Sequence, residues 1–66
     1  MKVIVNGKEL VIFRGATVND AVLRHFAKCD IDKDLIGQVV ACDKWGHVIG
    51  KEATLSAGQE ISYKIE

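Results

Sequence analysis

The segment Arg14-Gly15-Ala16-Thr17-Val18-Asn19-Asp20-Ala21-Val22-Leu23 joins a pair of strand-like runs to the one amphipathic helix of the chain. Thr17 is a strong N-cap, because its hydroxyl accepts a hydrogen bond from an unpaired amide of the first helical turn. Asp20, three residues on, is placed to accept from the Thr17 amide and suits the positive end of the helix. Gly15 lets the chain leave a strand in a sharp turn. The helix is predicted from about Val18 to Lys28. Val18, Ala21, Val22, His25, Phe26 and Cys29 recur at three- and four-residue spacing, so one face is apolar. Asn19, Arg24 and Lys28 fall on the other face, with Leu23 at the border.

Upstream, Lys2 to Val5 is a β-branched apolar run followed by Asn6-Gly7, a pair that tolerates positive φ and marks a hairpin. The second strand is predicted from Lys8 to Phe13. Leu10, Val11, Ile12 and Phe13 are consecutive apolar residues, which predicts a strand covered on both faces at one end, or a bulge. Downstream, Asp30-Ile31-Asp32-Lys33-Asp34 is a polar connection with one apolar plug. Leu35 and Ile36 form a short turn ended by Gly37. Gln38 to Cys42 reads as a third, central strand. Asp43-Lys44-Trp45-Gly46 is a turn and His47-Val48-Ile49 a short edge strand. Gly50 to Gly58 is loop-like, anchored by Leu55. In the last strand Ile61, Tyr63 and Ile65 alternate with Ser62, Lys64 and Glu66, which predicts one buried and one wet face.

Strand, strand, helix, strand, short strand, strand makes a two-layer α+β domain over residues 1–66. Hydrophobic residues are 48% of the chain, enough for a packed core and too many for a disordered tail. Nine Lys+Arg balance nine Asp+Glu, so no general attraction to nucleic acid or anionic membrane is expected. The N-terminal run lacks the apolar core and cleavage site of a signal peptide, and no stretch approaches the roughly 20 apolar residues of a membrane span. The expected location is the cytoplasm, where Cys29 and Cys42 are free thiols.

Three segments carry a resemblance. They are Val3-Ile4-Val5-Asn6-Gly7-Lys8, Gly15-Ala16-Thr17-Val18-Asn19-Asp20-Ala21 and Leu55-Ser56-Ala57-Gly58-Gln59-Glu60-Ile61. Together they resemble the β-grasp, or ubiquitin-like, domains. The third is similar to the L-x-x-G-D-x-I run before the last strand, with Gln59 in place of the usual aspartate. Two branches come closest, the small sulfur carriers of thiamine and molybdopterin synthesis and then the TGS domains. The resemblance implies a mixed sheet of about five strands, mostly antiparallel, with one long helix across it. For a sulfur carrier it also implies a Gly-Gly tail whose carboxylate is adenylated and converted to a thiocarboxylate. The sequence ends Ser62-Tyr63-Lys64-Ile65-Glu66 and its last glycine is Gly58, so no sulfur-transfer residue carries over. The expectation is a carrier-like or adaptor module that is bound by a protein, such as an adenylating or sulfur-transfer enzyme. The TGS alternative implies a regulatory domain that contacts nucleotide or RNA. The β-grasp ferredoxins need four cysteine ligands, and two cysteines exclude them.

In the related carriers the partner grips the exposed sheet face near the last strand. Here Ser62, Lys64 and Glu66 occupy that face, against the plain alternative of solvated polar residues. Trp45 has two readings, a lid folded over the sheet edge or an exposed binding residue. His25, Cys29, Cys42 and His47 mimic a structural zinc site with scrambled order. Packing explains the helical pair without a metal, because a buried free cysteine behaves as a small apolar group. Asp30, Asp32 and Asp34 open like a calcium loop, but Leu35 and Ala41 stand where glycine and glutamate are required. Cys42 and His47 lack the third group that orients a catalytic histidine. No cofactor, no enzymatic activity, no membrane contact and a monomer are expected.

Overall fold

The computed structural model describes residues Met1–Glu66. The strands are β1 (Lys2–Val5), β2 (Lys8–Val11), β3 (Val39–Asp43), β4 (Val48–Ile49) and β5 (Glu60–Ile65); the helix α1 spans Val18–Cys29 and a 3-10 helix spans Lys33–Gln38. The result is a small α+β domain with a five-stranded mixed sheet in the order β2-β1-β5-β3-β4. β1 and β5 pair in parallel, with Ile4 opposite Glu60 and Val5 opposite Ile61. The other pairings are antiparallel.

Local chemistry accounts for each junction. Asn6 (φ 51°) and Gly7 (φ 79°) both take the left-handed region that a type I′ hairpin needs. The Asn6 side chain then accepts from the Tyr63 amide at 2.8 Å, which ties the hairpin to β5. At the start of α1 the capping box forms as its spacing predicts. Asp20 N–H donates to Thr17 Oγ1 at 3.3 Å, and Thr17 N–H donates to Asp20 Oδ2 at 2.9 Å. The next two orphan amides are met by the loop before β5: Val18 donates to the Ala53 carbonyl at 2.9 Å and Asn19 to that of Lys51 at 2.8 Å. Thr17 also bridges to Thr54. Near β5, Gln59 Oε1 accepts from the Ser56 amide at 2.9 Å.

The core is one cluster between the sheet and α1, built from Val3, Val5, Leu10, Ile12, Val18, Val22, Phe26, Val39, Ala41, Leu55 and Ile61, with Ala16 and Ala21 where the layers approach. Leu55 anchors its loop as expected.

Several expectations need correction. β2 ends at Val11, not Phe13, because Phe13 to Ala16 turns, with Ala16 N–H donating to the Phe13 carbonyl and Gly15 at φ 83°. Nor is β2 covered on both faces: Leu10 and Ile12 are buried, while Val11 and Phe13 are 58% and 63% exposed. Only one layer packs on the sheet, so the apolar run is plain alternation with two apolar residues facing solvent. The 3-10 helix runs through Gly37 instead of ending there, capped by the Asp32 side chain on the Asp34 amide. The last strand buries only Ile61 fully. Tyr63 is half-buried and Ile65 is 38% exposed. β3 begins at Val39, one residue later than Gln38, and β4 keeps only Val48–Ile49.

Candidate functional site

One face of the sheet has no layer over it. Strand alternation and register place Ile4, Val40 and Cys42 at its middle, all half-buried, with exposed Val48, Ser62 and Lys64 around them. Ser62 lies opposite Cys42, and Lys64 opposite Val40. Glu66 continues the row and lies 3.7 Å from Lys64. Lys2 similarly pairs with Glu9 at 3.4 Å. The face is therefore mixed in charge, with a modest apolar centre.

Trp45 stands at the end of this face, in the turn between β3 and β4. It is 72% exposed, which overturns the lid reading. The cause is the turn itself. Asp43 Oδ1 accepts from the amides of both Trp45 and His47 at 2.9 Å, and Gly46 takes φ 85°. That geometry holds the turn outward from the sheet. The Lys44 ammonium covers the indole from 4.7 Å, a cation–π contact that does not bury it. Beside the turn an open cleft of about 340 Å³ runs to Ser56–Glu60, and a second of about 360 Å³ continues to Gly7, Ile4 and Ser62. Trp45, Ser62 and this end of the sheet therefore share one surface. Lys64 and Glu66 lie farther along β5.

A larger open hollow, about 630 Å³, lies on the opposite edge between the end of β2 and α1, lined by Val11, Phe13, Leu23, Arg24 and Ala27. Its apolar exposure was hidden in the sequence, since the run Leu10–Phe13 does not say which of its faces is covered.

The four soft-ligand residues do not converge. Cys42 projects from the uncovered face, whereas His25 packs under α1 on the other. His47 is in the turn with Asp43 Oδ2 3.6 Å from its Nδ1. No group of three or more His, Cys, Asp or Glu side chains is placed to hold a metal ion. The packing expectation for Cys29 also needs correction: it is exposed, because it is the last residue of α1.

His25 and Cys29 do meet. Cys29 Sγ is 3.7 Å from His25 Nε2, and His25 Nδ1 is 2.7 Å from the Tyr63 hydroxyl. The two rings are edge-on at 5.3 Å, and Phe26 packs against Tyr63 at 5.5 Å. His25 is 7% exposed and is the one buried polar side chain. Burial, and secondarily the Lys8 ammonium, hold its imidazole below the usual range. Burial, and then the charge of Cys29, raise the Tyr63 phenol above its usual range. The i, i+4 spacing of His25 and Cys29 was legible. Tyr63 was not, since it comes from 38 residues away.

No helix is long and apolar enough to cross a membrane. Compared with protein-family models, curated proteins and solved structures, the chain matches none.

Proposed function

We propose that this chain is a β-grasp, ubiquitin-like module that works by being bound, and that its partner is an adenylating or sulfur-transfer enzyme, the class that its resemblance to the sulfur carriers implies. The fold reading is supported by a hairpin, a crossing helix and a last strand lying parallel beside the first. The observation that carries the function is Trp45, held outward by a rigid turn at the end of an uncovered sheet face. A tryptophan presented in this way is a ready anchor, because it offers a large contact area at little cost in side-chain entropy. Ser62 supplies the polar surface at that end, and Lys64 and Glu66 continue the polar row along β5. Lys2 and Lys64 each have a carboxylate beside them, which leaves Lys44 over the indole as the one unpaired lysine here and no extended basic field for RNA.

The test is a titration of isotope-labelled protein with such an adenylating enzyme, followed by amide shifts. Shifts should concentrate at Trp45, Ser62 and Lys64. Trp45→Ala should weaken binding by about 30-fold, the size of a hot-spot loss of ~2 kcal/mol. Shifts confined to Val11, Phe13 and Leu23 would move the binding surface to the other edge, and no shifts at all would end the partner assignment.

A further inference from the structure

We propose that Cys29 is a reactive thiol that takes up low-molecular-weight disulfides, with His25 as its proton acceptor and Tyr63 as the group that positions the imidazole. The arrangement has the parts a thiol nucleophile requires. Sγ is exposed and lies 3.7 Å from Nε2 of a histidine. The far nitrogen of that histidine is fixed at 2.7 Å by a phenol from another element. In the tautomer that suits this chemistry, Nδ1–H donates to the Tyr63 oxygen and Nε2 is left to accept from the thiol. Burial of the ring in the core removes its rotational freedom, so Nε2 stays aimed at Sγ.

The electrostatics set the resting protonation states. The groups facing the pair are Lys8 from β2 and Tyr63 from β5. Lys8 disfavours a positive charge on His25. Tyr63 stays protonated and neutral throughout the neutral range. The imidazole is thus the free base at neutral pH and is available to take the thiol proton.

In the reaction, the Cys29 proton passes to Nε2 and the thiolate attacks one sulfur of the disulfide. The S–S bond breaks as the new one forms. The departing thiolate takes a proton from the imidazolium, so one thiol and one disulfide give one mixed disulfide and one thiol. Cys42 projects from the opposite face of the sheet and cannot resolve the product as an internal bridge. The mixed disulfide therefore persists until an external thiol removes it. The site lies on the helix side of the sheet, away from Trp45, and does not depend on the binding role proposed above.

The experiment reacts the intact protein with glutathione disulfide and follows modification of each cysteine by peptide mass. Exposure alone favours Cys29 over Cys42, so the reference is Cys29 in the urea-unfolded chain at the same pH. The folded chain should react about tenfold faster at pH 7, because Nε2 takes the thiol proton as Sγ attacks. His25→Gln should bring the rate down to the unfolded value, and Tyr63→Phe should lower it partway. An unchanged far-ultraviolet circular dichroism spectrum in each variant reports that the fold is intact. If His25→Gln unfolds the chain, folded Tyr63→Phe decides, with a rate between those of the wild-type and unfolded chains expected. Equal rates in folded and unfolded chains, or an unchanged rate in a folded His25→Gln or Tyr63→Phe variant, would each overturn the proposal.

Discussion

His25 shows how one side chain can be both core and chemistry. It lies on the apolar face of α1 with Val18, Val22 and Phe26, and every buried side-chain nitrogen and oxygen of the protein has a partner. Its imidazole is held below the usual 6.5, chiefly by burial. The unfolded chain therefore binds a proton that the folded chain refuses. The resulting stability is complete above pH 6.5 and is lost as the pH falls below it toward the folded value. Melting temperatures measured from pH 7 to 5 should fall, and the fall should be shallower in His25→Gln. An equal slope in both proteins would assign the acid sensitivity to carboxylates instead. His25 itself was readable as a buried face residue from its spacing. Its neighbour Cys29 has the same periodicity, yet it is exposed at the helix end. Periodicity assigns a face, not the point along an element where burial stops.

Among the elements, α1 was the most legible. Its cap, its first-turn acid and its apolar stripe all act within four residues, the range over which sequence alone determines contacts. Removing the cap by Thr17→Ala leaves the Asp20 amide without its partner and should cost about 1 kcal/mol. Urea denaturation should show this as a lower midpoint at an unchanged slope. A change of several times that size would mean that Thr17 also holds the Thr54 bridge and the loop behind it. Strands were less legible. The consecutive apolar residues Leu10 to Phe13 predict cover on both faces at one end of β2, or a bulge, whereas the pairing is regular and Val11 and Phe13 face solvent. The β3–β4 turn was located correctly, but the direction of Trp45 depends on the Asp43 side chain gathering two later amides.

For the whole molecule, stability rests on a thin core beneath one helix. Phe26 is its largest fully buried side chain, 1% exposed and in contact with Tyr63. Phe26→Ala should cost about 3–5 kcal/mol, against the ~3–10 kcal/mol available to a chain of this length. The variant should lose its cooperative thermal transition by circular dichroism. Retention of a sharp transition near the parent temperature would show that the core collapses into the space. The same thinness explains why so much apolar surface stays uncovered, on the open sheet face and beside β2. A single helix covers one side of five strands and no more.

Much of the architecture was written locally. The Asn6-Gly7 hairpin, the Thr17–Asp20 cap and the helical stripe each depend on neighbours a few residues away, so they can be read from residue types and spacing. Long-range closure alone put β5 beside β1, turned Val11, Phe13 and Trp45 to solvent, sent Cys42 to one face and His25 to the other, and set Tyr63 against His25. Those outcomes follow from which surfaces the helix and sheet hide from water. That is a property of the assembled layers, and no short window of the chain contains it.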